Sequence, residues 1–322
     1  MTFSSNANKR SDHFDGKRFF VPGKKITHSF WQVLKWRLME KRPKWPKQVA
    51  LTSFAHDHLP PKGMRFTYIG HATVLIEIGQ FTILTDPHFS QRASPLQWIG
   101  PKRVTPPGLT TEQLPSIDLI FISHNHYDHL DLLSLKKICN SKTVIVTPLG
   151  NEKIIHKILP EQKVETLDWY ESRTLFSTLF IQLFPAHHWS ARTPFDRNLA
   201  LWGSAFFKVK ERSFFFMGDS GYDPLLFAAI SQKLEQPPEV ALLPIGAYHP
   251  RWLMSAAHMS PKEAWTAFKQ LKSRCLLPIH YDTFPLGDEP YGKALPSLFA
   301  EAKQEKGSVL ALKAGESFDL VT

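Results

Sequence analysis

Cysteine is scarce in this 322-residue sequence, which contains only Cys139 and Cys275. Two cysteines cannot form the disulfide framework of a small secreted domain, so we expect buried, inert thiols and a fold held together by its own core. No apolar run approaches the ~20 residues that a membrane-spanning helix needs. The polar start of the sequence, residues 1–18, also lacks the apolar stretch of a signal peptide. These absences predict a cytoplasmic protein.

Acidic residues are in the minority, at 29 Asp and Glu against 39 Lys and Arg, which gives a net charge of +10. This charge favours phosphate-rich partners such as an anionic membrane, a phosphorylated substrate or nucleic acid. Many of the cations lie in residues 17–47, interleaved with Phe and Trp. That pattern is typical of peripheral contact with a membrane surface, although an arm that wraps its own domain has the same composition. We recognise no nucleic-acid-binding module and expect no nucleic-acid partner.

The chain divides after a polar start that contains several prolines. We predict an N-terminal extension over residues 1–61, with a short amphipathic helix over 30–41, and a globular domain over 62–322. Predicted strands cover residues 65–69, 73–78, 81–85, 118–123, 143–147, 179–184, 201–210, 213–217, 240–244 and 275–279. Predicted helices cover residues 130–139, 225–233 and 261–271. This order predicts an α/β fold in which two packed mixed sheets are flanked by helices.

The strongest chemical signal is a group of four polar residues directly after the apolar run 117–122. His124, His126, Asp128 and His129 lie within six positions in what reads as a loop after a buried strand. Neutral imidazole and carboxylate are ligands that suit Zn²⁺ or non-haem iron. His124 and His126 can face one metal ion from an extended segment, and Asp128 and His129 can face a second. The segment therefore predicts a metal site.

Three other predicted strands also end at a potential ligand. The strand 179–184 leads to His187 and His188, the strand 213–217 leads to Asp219, and the strand 275–279 leads to His280. A lone histidine is usually structural, but four strand ends that supply ligands at one edge of a sheet pair form a coherent site. The residues alone do not choose between His187 and His188.

At this point the sequence resembles the metallo-β-lactamase superfamily, and within it the N-acylphosphatidylethanolamine-hydrolysing phospholipases D and their bacterial relatives. The resemblance extends from residue 65 to the late 280s. Its motifs include Gly70-His71-Ala72-Thr73-Val74, Thr85-Asp86-Pro87, Gly100-Pro101-Lys102-Arg103, the segment 123–131, His188-Trp189, Gly218-Asp219-Ser220-Gly221-Tyr222 and Ile279-His280-Tyr281-Asp282-Thr283-Phe284. It implies an αββα sandwich for residues 62–322.

The resemblance also implies a role for each motif residue. Two Zn²⁺ ions per chain would be held, one by His124, His126 and His188 and the other by Asp128, His129 and His280, with Asp219 bridging them. His188 is chosen because Trp189 follows it, as in the family. Asp86 and His71 would stand behind ligands, and Asp128, Asp219 and His258 would be catalytic. Substrate contacts are expected at Tyr248, Arg251, Trp252 and Arg192, whereas Lys102-Arg103 would meet either phosphate or solvent.

The implied reaction is hydrolysis of an N-acylphosphatidylethanolamine-like phospholipid to N-acylethanolamine and phosphatidic acid by a hydroxide that bridges the metal ions. A homodimer is a further implication of the family. The nearest alternative is a lactonase or another hydrolase of soluble phosphate esters or esters on the same site. Nucleic-acid processing and a non-catalytic metal-binding or redox protein are more distant alternatives.

Overall fold

The computed structural model describes residues 11–24, 35–36, 42–52, 54 and 63–321. Within these ranges the chain forms thirteen strands, which we number β1–β13, and six α-helices, which we number α1–α6. The strands are β1 (Gly63–Gly70), β2 (Thr73–Ile78), β3 (Phe81–Thr85), β4 (Leu119–Phe121), β5 (Val144–Pro148), β6 (Lys163–Leu167), β7 (Ser172–Leu175), β8 (Leu179–Phe184), β9 (Ser204–Val209), β10 (Arg212–Phe216), β11 (Val240–Pro244), β12 (Cys275–Ile279) and β13 (Ser317–Val321).

The helices lie mostly in the second half of the chain. They are α1 (Leu132–Ile138), α2 (Glu152–Ile155), α3 (Pro224–Lys233), α4 (Arg251–Met254), α5 (Pro261–Leu271) and α6 (Ala294–Ala302). Helix α5 begins with a capping box, in which Ser260 accepts a hydrogen bond from the Glu263 backbone and the Glu263 side chain reaches back to the Ser260 backbone. No helix in the described part of the chain is both long and apolar enough to cross a bilayer.

The strands form two mixed sheets. The first has seven strands in the order β13-β1-β2-β3-β4-β5-β6, and the second has six in the order β12-β11-β10-β9-β8-β7. Strands β3 to β6 run parallel to one another, as do β10, β11 and β12, whereas the remaining pairs are antiparallel. This is the predicted α/β architecture of two mixed sheets flanked by helices, and the prediction of the fold class is confirmed.

The alternation of side chains along each strand explains how the sheets pack. In β3 and β4, Ile83 and Phe121 join the large core between the sheets, whereas Leu84 and Ile120 join a smaller core on the outer face, beneath α1. Rings cross the interface between the sheets: Phe121 lies 5.5 Å from Phe207 in an edge-on arrangement. Strands β3 and β4 are thus buried on both faces, as parallel strands covered by helices usually are.

Both sheets have more strands than the sequence predicts, because β6 and β13 in the first sheet and β7 in the second are short and partly exposed strands without a strong apolar pattern. Helix α6 was also not predicted. Strand β9 begins at Ser204, three residues later than expected, because Trp202 turns inward and donates to the carbonyl oxygen of Ala186. The predicted helix over 30–41 lies outside the described residues except for 35–36. The division of the chain at residue 61 stays a prediction.

The described parts of the N-terminal segment lie against the domain. The Phe19 backbone donates to the Asn198 carbonyl at 2.8 Å, and the Val49 backbone donates to the Val104 carbonyl at 3.0 Å. His13 is buried, with its Nε2 2.8 Å from the carboxylate of Asp168. These contacts agree with an arm that wraps its own domain, and contact with a membrane stays a prediction.

Candidate metal centre

The loop between β4 and α1, residues 122–131, carries four of the predicted ligands and is held rigidly. The backbone N–H and the hydroxyl of Ser123 both donate to the Asp86 carboxylate, at 2.7 and 2.6 Å. The His129 and Leu130 backbones donate to the His126 carbonyl, which closes a turn. Fixed backbone of this kind positions several side chains toward one point without further ordering on ligand binding.

Three histidines form the first ligand group. The Nδ1 of His126 lies 2.9 Å from the Nε2 of His124 and 3.1 Å from the Nε2 of His188, which follows β8. His187 faces elsewhere, with its Nδ1 3.1 Å from the ammonium of Lys24. The structure therefore brings His188, and not His187, to the other two histidines.

The second ligand group lies beside the first. The Nε2 atoms of His129 and His280 each lie 3.3 Å from the same carboxylate oxygen of Asp128. His280 directly follows β12, and its backbone donates to the carbonyl of His71. The ends of β4 and β12, which belong to different sheets, thus meet in this group.

Asp219 lies between the two groups. One carboxylate oxygen is 3.2 Å from the Nε2 of His129 and 3.7 Å from that of His188, and the other is 3.2 Å from the Nε2 of His280. Gly218, with a φ of +62°, permits this approach, because a Cβ there would lie 2.6 Å from the Cβ of Ser123. Asp219 therefore has the position of a ligand shared by two ions.

The bonding state of these atoms tests whether a metal fits. The Nε2 atoms of His129 and His280 and one oxygen of Asp219 are buried, and none makes a hydrogen bond within the described residues. Buried polar atoms are nearly always satisfied in native proteins, so unsatisfied atoms that converge call for a partner. Imidazole and carboxylate donors suit a divalent transition-metal ion. The residues present therefore fit a pair of cations.

Groups behind the ligands fix the histidine tautomers. The Nδ1 of His129 lies 2.6 Å from Asp86, and the Nδ1 of His188 lies 3.0 Å from the carbonyl of Ala257. An acceptor at Nδ1 keeps the proton there and leaves the lone pair of Nε2 directed into the site. His71 supports the other ligand type, because its Nε2 lies 3.0 Å from the Asp128 carboxylate.

Burial and charge act in opposite directions on these groups. Burial holds the pKa of His124 and His188 well below the usual range, which favours the neutral form that binds metals. Burial also lowers the pKa of His280, but the carboxylates of Asp219 and Asp128 outweigh it and raise the pKa to about 9. The same carboxylates that attract this proton would attract a cation in its place.

The predicted catalytic residue His258 lies at the same centre. Its Nδ1 is 3.8 Å from a carboxylate oxygen of Asp219 and makes no hydrogen bond within the described ranges. Burial lowers the pKa of its imidazole to about 4. The Arg251 guanidinium donates to the His258 carbonyl and pairs with Glu263, so it braces the His258 loop.

The other predicted substrate contacts differ in how they are engaged. Arg192 donates from one guanidinium nitrogen to the carbonyls of Asn125 and Leu130, at 2.9 and 2.8 Å, and stacks on the ring of Tyr127. Tyr248 is buried, whereas Trp252 is 46% exposed. Contact of these residues with substrate stays a prediction.

Arg103 and Phe284 pack beside the metal centre, and the sequence does not predict this contact. Arg103, for which a solvent-exposed position was one of two expectations, is buried; it stacks on the ring of Phe284 at 4.7 Å and donates to the carbonyls of His88 and Ser90. Phe284 in turn lies 5.2 Å from the ring of His71. The sequence carries little signal for this, because a Lys-Arg pair is usually a surface feature.

Comparisons with known proteins agree with this geometry. Residues 82–281 match a family model described as the beta-lactamase superfamily domain. The chain belongs to this superfamily. It is 35% identical over 280 residues to "N-acyl-phosphatidylethanolamine-hydrolyzing phospholipase D 1" of Caenorhabditis elegans, which covers 83% of this chain and 78% of that relative. The predicted family is confirmed.

Two further similarities support the same assignment. A UPF0173 metal-dependent hydrolase of Pyrococcus abyssi is 31% identical over 262 residues, which cover 80% of this chain and all of that protein. The crystal structure of a possible metal-dependent hydrolase from Veillonella parvula superposes with a TM-score of 0.63 at 18% identity, over 80% of this chain and 99% of that one, and shows the shared fold. The protein is a metal-dependent hydrolase of the beta-lactamase superfamily.

Proposed function

We propose that the protein is a phosphodiesterase of phospholipase D type that uses two Zn²⁺ ions. Its substrate would be an N-acylphosphatidylethanolamine-like phospholipid, and its products N-acylethanolamine and phosphatidic acid. The observation that carries the proposal is Asp219, which lies between two groups of buried, converging ligand atoms. The substrate class rests on the similarity to the Caenorhabditis elegans phospholipase over most of both chains.

In this proposal one ion is held by His124, His126 and His188 and the other by Asp128, His129 and His280. Ions bound there would polarise a phosphoryl oxygen and lower the pKa of a coordinated water. Asp219 contacts both groups and sets their separation. Asp86 and the Ala257 carbonyl hold protons on the outer nitrogens of His129 and His188, so that the inner nitrogens stay free to bind.

We assign His258 to the substrate phosphate. Its ring lies 5.2 Å from that of His188 and 5.5 Å from that of His280, so it borders both ligand groups, and its Nδ1 has no other partner among the described residues. A phosphodiester that bridges the two groups would bring a non-bridging oxygen within reach of the imidazole. His258 would thus orient the phosphate and stabilise its charge by a hydrogen bond.

The experiment compares wild type with Asp219→Ala. Purified protein is analysed for metals by mass spectrometry and assayed for N-acylethanolamine release from vesicles that contain N-acylphosphatidylethanolamine. We expect about two zinc ions per chain in wild type, and in the variant loss of at least one ion together with a fall in turnover of more than ~1000-fold, because the shared ligand is gone. The control is Asp319→Ala, which removes an exposed carboxylate that pairs with Arg65 on β1 and leaves metal content and turnover unchanged.

The alternative is a hydrolase of soluble phosphate esters or lactones, since the relative in Pyrococcus abyssi is named only as a metal-dependent hydrolase. Two zinc ions per chain with turnover of a soluble phosphate ester or lactone, and none of the vesicles, would support it and reject the phospholipid substrate. Protein purified without chelator that holds no metal would reject both. The homodimer is tested separately by sedimentation velocity.

A further inference from the structure

A contiguous group of apolar side chains is exposed in the segment that follows β3. Leu96 is 45% exposed, Trp98 73% and Ile99 54%. Tryptophan is highly buried on average, and adjacent exposed apolar residues mark interaction sites more often than single ones do. We refer to residues 94–100 as the apolar tip.

The apolar tip is held away from the domain by its own base. Arg92 and Lys102 form an antiparallel bridge, the Ala93 backbone donates to the Pro101 carbonyl at 3.1 Å, and the Arg92 guanidinium donates to the Gly100 carbonyl at 2.6 Å. Gly100 has a φ of +98°, and a Cβ there would meet the Cβ of Ser94 at 2.7 Å. The base therefore fixes the turn, while the apolar side chains stay exposed.

The base of the apolar tip is continuous with the wall of the metal centre. The Arg103 backbone donates to the Gln91 carbonyl at 2.8 Å, and its guanidinium stacks on Phe284. Phe284 contacts His71, which hydrogen-bonds the candidate ligand Asp128. Two residues, Phe284 and His71, thus lie between Arg103 and a candidate ligand, so the base of the tip is connected to the metal centre by direct contacts.

The charged residues near the apolar tip in the sequence all have one sign. No acidic residue occurs in the sequence between Asp86 and Glu112. Arg92 and Lys102 flank the tip, and neither forms an ion pair within the described residues. Exposed apolar side chains flanked by two cations complement an interfacial layer that offers both hydrocarbon and anionic head groups.

We propose that the apolar tip inserts into the surface of a phospholipid bilayer that contains anionic lipids, with Arg92 and Lys102 at the head groups. The proposal deepens the function proposed above, on which the choice of a lipid partner rests. A specific protein interface buries about 800 Å² on each partner, far more than three side chains supply. A bilayer needs no such area, because each apolar side chain partitions on its own and tryptophan favours the interface.

The test is co-sedimentation of the full-length protein with vesicles, using wild type, Trp98→Ser and the double variant Leu96→Ser/Ile99→Ser. Vesicles are made of phosphatidylcholine alone or of phosphatidylcholine mixed with phosphatidylglycerol. We expect wild type to bind the mixed vesicles, and each variant to bind them at least ~10-fold more weakly because buried apolar area is lost. Lys102→Gln should weaken binding by about fivefold on mixed vesicles and leave binding to phosphatidylcholine unchanged.

The matched control is Phe176→Ser. Phe176 is 41% exposed and lies in the turn before β8, at the opposite end of the strand from His188. If vesicle binding came from nonspecific adsorption of exposed apolar side chains, Phe176→Ser would weaken it as much as Trp98→Ser does. That result would overturn the proposal. A second measurement uses brominated phosphatidylcholine, a quencher of tryptophan fluorescence. Trp98→Phe should keep vesicle binding and lose much of the quenching, and equal quenching in both proteins would also overturn it.

The outcomes separate this proposal from that for the substrate. Vesicle binding needs no turnover, so Asp219→Ala should sediment with vesicles as wild type does. Vesicle binding that depends on Trp98, in the absence of phospholipid hydrolysis, would support membrane insertion of the apolar tip and reject the phospholipid substrate. Hydrolysis of N-acylphosphatidylethanolamine in detergent with no binding to vesicles would reject membrane insertion of the apolar tip. Equal vesicle binding by wild type and Trp98→Ser would reject it as well. Self-association that is lost in Trp98→Ser, with no vesicle binding, would assign the tip to a second copy of the chain instead.

Discussion

Two connections leave adjacent parallel strands at the same edge of the first sheet, and they differ in almost every physical respect. The connection after β4, residues 122–131, is buried and carries four candidate ligands, each with a fixed environment. The first part of the connection after β3, residues 86–103, begins buried at Asp86 and ends buried at Arg103, but between them it exposes the apolar tip. The difference shows that one sheet edge can supply both a rigid coordination site and a surface that needs no rigidity beyond its base.

Hydrogen bonds account for the contrast. The Asp86 carboxylate accepts three hydrogen bonds, two from Ser123 and one from His129. The first residue after β3 therefore also supports the connection after β4. The Ser90 backbone donates to the Asp131 carboxylate, which joins the connections a second time. Among the described residues, the hydrogen bonds made by residues 91–102 stay within the β3 connection. Substitutions in the apolar tip should therefore leave the metal centre intact. Substitutions in the connection after β4 should disturb it.

Among the residues that support the ligands, the largest effect on this contrast is expected from Arg192→Met. The Arg192 guanidinium donates to the carbonyls of Asn125 and Leu130 and so ties together both ends of the ligand-bearing loop. Loss of two charge-assisted hydrogen bonds should lower the free energy of unfolding by about 2–4 kcal/mol, because each contributes roughly 1.5–3 kcal/mol less what relaxation recovers. Urea denaturation measures it.

The control for Arg192→Met is Arg173→Met on β7, where the guanidinium pairs with Glu171 at the surface and less than ~1 kcal/mol is expected. From the sequence, Arg192 is an expected substrate contact. If that is its main role, Arg192→Met should raise KM and leave stability close to that of wild type, contrary to the bracing role.

A smaller effect is expected from Asp86→Asn, which keeps the shape of the side chain but removes its charge. Without the carboxylate, the proton on the Nδ1 of His129 is held less firmly, and the Nε2 lone pair is no longer fixed toward the site. Loss of such a supporting carboxylate typically weakens metal binding by about 10- to 100-fold. Dialysis against graded chelator, followed by metal analysis, measures the change.

The control for Asp86→Asn is Asp118→Asn. Asp118 accepts from the Thr82 backbone at 2.9 Å, at the opposite ends of the same two strands. Equal metal loss in both variants would mean that general destabilisation, rather than the support of His129, controls affinity.

The candidate ligands could be predicted from the sequence because they are short-range patterns at strand ends. His124 to His129 follow an apolar run directly, and Asp219 and His280 come within a few residues of the strands that place them. Long-range contacts carry no such signal. The choice of His188 over His187 depends on which side chain the turn after β8 directs inward, and only the resemblance to known sequences, through Trp189, indicated it.

The residues that support the ligands were harder to predict, because their contacts are also with residues that are distant in sequence. The buried guanidinium of Arg103 is held by the carbonyls of His88 and Ser90 and by the ring of Phe284, which lies far along the chain. Arg192 and Arg251 resemble substrate-binding residues in the sequence, yet each donates to backbone carbonyls in the structure. The short strands β6, β7 and β13 give little signal of their own, since their residues are partly exposed and mixed in polarity, and β13 pairs with β1 at the other end of the chain.

The smallest effect is expected for the apolar tip, and it sharpens the comparison most directly. Ile99 and Ile122 are the same residue type, one 54% exposed in the tip and the other fully buried one residue before Ser123. Ile99→Ser should change the free energy of unfolding by no more than ~0.5 kcal/mol, because no core contact is lost. Ile122→Ser should cost more than ~3 kcal/mol, since it leaves a cavity and places a hydroxyl in an apolar core. A loss in Ile99→Ser comparable to that in Ile122→Ser would mean that the tip packs onto the domain, and its exposure could not then be the reason for membrane binding.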